Sequence, residues 1–364
     1  MKNSIQAFVM LVSICMMLPS QANAGKPQLY QERLEVGRAL LEVQFANVEE
    51  VLPYYADDIE YHDPVVDIYG IEQMTGFLYR LLGAGDLVTV IEDETLLGDT
   101  YSATWVMSGD FLGVPYEAKG ISIFKFRRKS SLVYYQRDYY SEGDIMATIA
   151  SPDPELPGLD ELIGAFRTYY RCAVDPTFDC PLGGAPAESE SSIVQMAPEN
   201  PRALLGRDNR LRSPEQLRRA QLAVGRQLVE INALNWTAVL PYLASDYEYH
   251  DPIVDIYGPD TMAAFLGRLF AGSSDLYTTV EDETLVNGVY MATWTMSGMF
   301  NGVPFNAPGM SIVKFVDGTL QSYYSRDYYT EGDIMTGIPD LAEAVSGFRV
   351  YYRCTVDPAF DCPF

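Results

Sequence analysis

Apolar positions along this chain fall into helical and alternating registers, and the whole succession occurs twice. Between Gln28 and Phe45, the positions Leu34, Ala39, Leu40, Leu41 and Phe45 recur at helical spacing. Asn47, with Glu50 three residues on, is suited to cap a short second helix running to Tyr55, and Asn235 takes the same place later. Ile59 to Asp63 alternates and ends at Pro64, which predicts a short strand. After Gly70, a third helix is marked by Ile71, Met74, Phe77 or Leu78, and Leu81; its counterpart opens on Pro259, a residue suited to a first helical turn. Four long segments then follow, Val88 to Leu97, Tyr101 to Phe111, Glu117 to Phe126 and Leu132 to Tyr140. They are rich in β-branched and aromatic residues and are separated by Gly98-Asp99, by Gly113-Val114-Pro115 and by the basic turn Arg127 to Lys129. A last helix is predicted from Leu159 to Tyr170.

Residues 56–70 read ADDIEYHDPVVDIYG and residues 244–258 read ASDYEYHDPIVDIYG, about 188 positions apart. A period that long means two whole domains in tandem. The expected organisation is a first domain over 28–182, a linker over 183–212 rich in Gly, Ala, Pro, Ser and charge, and a second domain over 213–364. Helices first and a curling sheet after them make an α+β fold: two tandem cone-shaped domains, each a curved antiparallel sheet with helices packed on one face.

The first residues stand outside this pattern. Lys2, an apolar run from Ala7 to Leu18, Pro19 and then Ala22-Asn23-Ala24 read as a secretory signal over 1–24 with cleavage before Gly25, so an exported protein, periplasmic or secreted, is expected. Cys15 follows Ile14 where a lipoprotein anchor wants a small residue. Lys and Arg total 25 against 50 Asp and Glu, a net charge of −25. Such a surface repels phosphate backbones and anionic headgroups, so neither nucleic acid nor membrane is an expected partner.

Four further cysteines, Cys172 and Cys180, then Cys354 and Cys362, lie in the repeated YYRCxVDPxFDCP. In an exported chain they point to disulfides, with three connectivities formally open. Pairing within each copy is the simplest, and a four-thiolate zinc site would need closer spacing.

The segments ADDIEYHDPVV, TWVMSGDFLGVPYEAKGISIFKF and QRDYYSEGDIM give the unit a family likeness. It resembles the SnoaL-like branch of the nuclear-transport-factor-2-like superfamily, whose cone-shaped fold includes ketosteroid isomerases, polyketide cyclases and limonene-epoxide hydrolases. The resemblance covers 32–148 and 219–337. It implies a pocket for a small hydrophobic molecule, and it places Asp63 and Asp251 where ketosteroid isomerases carry the aspartate general base. By the same spacing, the family's oxyanion-hole tyrosine and protonated aspartate are replaced by Ala39 and Gln227, and by Ser122 and Ser311. The epoxide hydrolases' Arg-x-Asp is absent too, since Arg137-Asp138 and Arg326-Asp327 are adjacent and must point to opposite faces.

The candidate chemistry then narrows to a few residues. Asp63, Asp251, His62, His250, Asp138 and Asp327 are the candidate acid and base groups, although alternation sends His62 and Asp63 to opposite faces. Asp63 and Asp251 also suit turn or capping duty before proline. Tyr61 and Tyr249 share a strand face with the first aspartates, as Tyr140 and Tyr329 do with Asp138 and Asp327. Trp105, Trp294, Met107 and Met296 form a period-two stripe suited to core or pocket lining. Glu92-Asp93-Glu94 and Glu281-Asp282-Glu283 alternate faces, as a solvated strand does and a metal cage does not. No phosphate loop or Ser-His-Asp order appears. The expectation is therefore acid/base chemistry without cofactor or metal, of isomerase, cyclase or hydratase type, or else a non-catalytic ligand carrier. The two copies are expected to pack sheet against sheet as an intrachain pseudo-dimer.

Overall fold

The computed structural model describes residues 26–111, 113–149, 158–181, 213–273, 275–300 and 303–363. The signal segment, Cys15 and the linker lie outside the described residues. Each copy begins with a long helix, α1 (Lys26–Leu41) or α6 (Pro214–Val229), followed by a short one, α2 (Val48–Val51) or α7 (Trp236–Val239). Asn47 does not cap α2 through its side chain; its Oδ1 accepts instead from the Gln44 N–H at 2.8 Å. Strand β1 (Tyr55–His62), β2 (Asp67–Tyr69), α3 (Ile71–Gly83) and then β3 (Leu87–Leu97), β4 (Thr100–Phe111), β5 (Val114–Phe126) and β6 (Val133–Tyr140) complete the first cone. After α4 (Glu142–Met146) and α5 (Leu159–Val174), the second copy repeats the order. It runs through β7 (Leu243–His250), β8 (Asp255–Tyr257), α8 (Pro259–Gly272), β9 (Tyr277–Val286), β10 (Val289–Phe300), β11 (Val303–Phe315), β12 (Ser322–Tyr329), α9 (Glu331–Met335) and α10 (Pro339–Val356).

The sheets run β2-β1-β6-β5-β4-β3 and β8-β7-β12-β11-β10-β9. They are mixed where antiparallel sheets are expected, because β1 pairs β6 in parallel and β7 pairs β12 in parallel. The early strand lies in the sheet beside the last one, and that places the Tyr-x-Asp segment next to Asp138 or Asp327. β4 and β5 pair without interruption from Thr100↔Lys125 to Phe111↔Val114, whereas β3 slips register between Ile91 and Asp93. A bulge of this kind adds twist and helps bend the sheet over the helices. Met74, Phe77 and Leu78 from α3 are buried against the concave face, with roughly 1.5–3 kcal/mol for each such side chain.

The opposite faces of the two sheets meet. Ile121, Ile123 and Tyr139 form one cluster with Met291, Met310, Ile312 and Tyr328, and Lys314 reaches Asp93 across it at 2.7 Å. The terminal helices cross over: α5, from the first copy, packs on α8 of the second, and α10 packs on α3 of the first. Arg167 on α5 pairs with Asp144 at 2.7 Å and with the fully buried Glu331, which also accepts from Ser141 Oγ at 2.7 Å. Arg349 on α10 mirrors this with Asp333 at 2.8 Å and with the buried Glu142, which also accepts from Thr330 Oγ1 at 2.8 Å. The cysteines pair within each copy, Cys172 with Cys180 and Cys354 with Cys362, Cα atoms 5.5 Å apart in both. Each hook docks on the other copy, where Arg268 donates to the Asp175 carbonyl at 3.1 Å and Arg80 to the Asp357 carbonyl at 3.2 Å.

Candidate active site

Alternation along β1 turns Ile59 and Tyr61 inward and Asp58 and Glu60 outward. At its end the chain bends through Asp63-Pro64, and the Asp63 carboxylate caps the bend: Oδ1 accepts the Val65 and Val66 N–H groups at 2.6 and 2.7 Å. Oδ2 is left for the cavity, where the Tyr61 and Tyr140 hydroxyls donate to it at 3.1 and 3.3 Å. The turn and the cavity roles of this aspartate are thus filled by its two different oxygens. Asp251 repeats the arrangement, with Ile253 and Val254 N–H at 2.7 Å on one oxygen and Tyr249 and Tyr329 at 3.3 Å on the other.

The second carboxylate stands on the neighbouring strand. Ser122 Oγ donates to Asp138 at 2.6 Å and accepts from Trp105 Nε1 at 2.8 Å. The Trp105 ring lies flat over Gly120, where a Cβ would stand 2.3 Å from it, so glycine at this point lets the indole reach Ser122. In the second copy Trp294, Ser311 and Asp327 do the same at 2.7 and 2.6 Å, and Gly309 lies under the ring. The Tyr249 hydroxyl lies 3.0 Å from Asp327 Oδ2 and 3.3 Å from Asp251 Oδ2, so its one proton stands between the two carboxylates.

The two cavities have volumes of about 90 Å³ in the first copy and about 100 Å³ in the second, and their walls hold no Arg, Lys or His. Without a cation to pair with, burial is the leading effect on each carboxylate. It raises Asp63 and Asp251 to about 7 and Asp138 and Asp327 to about 6. The backbone N–H groups oppose the rise at Asp63 and Asp251, and the neighbouring carboxylate adds to it. Asp63 keeps partial exposure whereas Asp251 is only 8 % exposed, so the second copy holds its first carboxylate drier. Burial likewise lifts the bridging tyrosines well above 10, which keeps them hydrogen donors.

The structure brings together Tyr61, Asp63, Trp105, Met107, Asp138 and Tyr140 around one cavity, and Tyr249, Asp251, Trp294, Met296, Asp327 and Tyr329 around the other. His62 and His250 are not among the lining residues. They lie on the far side of their strands, Nδ1 2.5 Å from Asp67 and Asp255, against Tyr135 and Tyr324. Arg137 and Arg326 point away from the cavities and stack on Tyr139 and Tyr328. Among the described residues no group of three or more His, Cys, Asp or Glu could hold a metal ion; in the acidic runs, Glu94 and Glu283 are taken up by Arg38 and Arg226.

Two lining residues come from the crossing helices. Tyr352 of α10 closes the first cavity beside Tyr140, and Tyr170 of α5 closes the second beside Tyr329. Both stand in the repeated YYRC segment that catches the eye for its cysteine, and the tyrosine two residues earlier is the signal passed over.

The family model described as the SnoaL-like domain matches residues 38–135 and 224–323. The chain belongs to the SnoaL-like domain family. No curated protein is detectably similar to it in sequence. Among solved structures, the SnoaL-like chain is similar to a protein of ketosteroid isomerase-like fold from Catenulispora acidiphila DSM 44928, in complex with trimethylamine, at 20% identity and TM-score 0.29, over 32% of this chain and 91% of that one. An LEH-like epoxide hydrolase from M. tuberculosis matches at 16% identity and TM-score 0.30, over 37% and 96%. A computationally designed 17-OHP binder matches at 18% and 0.28, over 31% and 93%.

Proposed function

We propose that each SnoaL-like pocket binds a small hydrophobic molecule and moves a proton on it without a cofactor, in the manner of an isomerase, cyclase or hydratase. The observation that carries this reading is a pair of carboxylates enclosed in an apolar cavity with no basic side chain in its walls. A carboxylate buried only for structure is ordinarily neutralised by a cation, and a desolvated one poised near neutrality is suited to taking a proton from a weak carbon acid. In this reading Asp63 and Asp251 are the bases. Asp138 and Asp327, the lower of each pair, supply the neighbouring negative charge that keeps the bases' affinity for a proton high, and the tyrosines donate to the oxygen that gains charge. The chain serves as its own pseudo-dimer, and the two cysteine pairs suit an oxidising compartment outside the cytosol.

The test is to screen enones, cyclic ketones and epoxides by thermal shift, then follow turnover and solvent-deuterium incorporation into the ligands that bind. Deuterium uptake lost in the Asp63→Asn, Asp251→Asn double variant supports the reading. Tight binding with neither uptake nor turnover makes the protein a carrier, and absence of binding across all classes removes the ligand pocket altogether.

A further inference from the structure

The two pockets share their acid core but differ in the layer beside it. In the first, Tyr55 donates to Gln136 Oε1 at 2.9 Å, and Gln136 Nε2 lies 3.3 Å from both oxygens of Asp138. Gln136 and Tyr55 satisfy each other and brace the carboxylate. In the second pocket the corresponding positions are Leu243 and Ser325, and Phe305 stands where the first has Tyr116. With the amide gone, Ser325 Oγ is buried, at 5 % exposure, and makes no hydrogen bond. The Tyr247 phenol is near enough to feel that hydroxyl but closes no bond to its oxygen.

A second unpartnered hydroxyl opens into the same cavity. Ser273, just after α8 and 1 % exposed, has an Oγ with no partner. A buried hydroxyl left unpaired carries the full cost of its lost hydration, so two of them in one apolar cavity mark places where a bound oxygen would be favoured. The cavities are close in volume, about 90 and 100 Å³, so the difference between them is of chemistry and not of size.

We propose that the second pocket is selective for a neutral hydrophobic molecule carrying a hydroxyl or carbonyl oxygen away from its reacting centre, with Ser325 and Ser273 as the residues that bind that oxygen, and that the first pocket lacks this preference. The inference rests on the reading of both cavities as ligand pockets. Ser325 precedes Asp327 by two residues on the same face of β12, and Ser273 enters from the end of α8. A ligand oxygen is thereby met by hydroxyls that neither alternate in charge nor titrate, which fits a neutral group.

The probes are 1-tetralone and 6-hydroxy-1-tetralone, titrated calorimetrically into the full chain and into three variants: Ser325→Ala, Ser273→Ala, and the double. In the unaltered chain the hydroxylated probe is expected to bind one of two sites about tenfold tighter than its parent, the scale of a hydrogen bond made to a group otherwise unpaired. In the double variant the ratio of the two affinities at that site falls toward one. Exchanging Tyr55→Leu with Gln136→Ser is expected to move the first site toward the preference of the second. If both probes bind and their ratio is the same in the double variant, the hydroxyls hold no more than water and the specificity assignment is overturned while the pockets stand. If neither probe binds either site, the ligand-pocket reading fails and this inference falls with it. Melting curves of each variant show that the fold is retained.

Discussion

Tyr352, one turn from the end of the last helix, lines the first copy's cavity beside Tyr140 of that copy's sheet. The first cavity is therefore finished by residues that the second copy sends across, and the second by Tyr170 coming the other way. Neither copy encloses a complete site alone.

That reciprocity separates the sites by mutation. Tyr352→Ala removes a wall and a hydroxyl from the first cavity only, so ligand affinity there should fall about tenfold or more while the second site keeps its own. Tyr170→Ala should give the reverse. Two-site calorimetry reads this directly, and a loss at both sites from either variant would mean that the crossing helices hold the chain together without belonging to one pocket each.

The pH profile follows from the carboxylate pair. A base must be ionised, so kcat/KM on an identified substrate should rise with a midpoint near 7 and then level, given Asp63 and Asp251 raised to about 7 by burial. Apparent values belong to the pair and not to one residue. Asp138→Asn together with Asp327→Asn removes the neighbouring negative charge and should draw the midpoint down. Asp63→Asn with Asp251→Asn should cost at least ~100-fold in turnover.

Much of this site could be read from the chain before its fold, and the limits of that reading have physical causes. Alternation is local, so Tyr61 with Asp63, and Asp138 with Tyr140, were assignable to shared faces from spacing alone. Which strand lies beside which is not local. The parallel β1 and β6 pairing joins residues far apart in sequence and turns an expected antiparallel sheet into a mixed one. The same distance hid the crossing of α5 and α10, because an amphipathic helix declares that it has an apolar face and not whose core receives it. Ser122 was legible as a replacement for a stronger donor; its role between Trp105 and Asp138 needed the register Ser122↔Asp138 across two strands.

The crossing helices are held by buried charge. Glu331 is fully buried and is met by Arg167 and Ser141, so Arg167→Ala would leave a carboxylate in the interface with one neutral donor. Loss of about 3 kcal/mol is expected, the scale for breaking one side of a buried pair. Burial already raises the Glu331 pKa, with Arg167 opposing it, so the variant should lose less at acid pH, where the carboxyl is neutral. Adding Glu331→Gln to Arg167→Ala should restore much of the stability in urea denaturation. A double variant no better than the single would place the cost in lost arginine packing.

The hooks are tied by short disulfides, and Cys172 stands two residues after Tyr170. Replacing Cys172 and Cys180 with Ser should lower stability by roughly 2 to 3 kcal/mol on the chain-entropy account. It should also weaken ligand binding in the second pocket and not in the first, because the hook docks on α8 through Arg268. Equal weakening at both sites would detach the disulfide from the closing of the pocket.

Asp251 offers the sharpest measurement, because a structural cap and a desolvated acid respond to pH in opposite ways. Two backbone N–H groups alone would hold a carboxylate low, stabilising the fold above the unfolded pKa and losing that stability as pH falls. Burial outweighs them here and raises Asp251 to about 7. A raised pKa means that the native state keeps a proton that the unfolded chain, near 3.9, has released, so stability falls as pH climbs from about 4 through about 7 and then levels. Asn resembles the protonated acid and can still accept both N–H groups through Oδ1. Asp251→Asn should therefore match the unaltered protein near pH 4 and gain on it steadily up to pH 8, by an amount on the order of 3 kcal/mol for a residue this deeply buried. Urea unfolding at pH 4, 6 and 8 gives the trend. A gain that shrinks as pH rises would show the carboxylate held ionised by its cap, and would take the base away from this position.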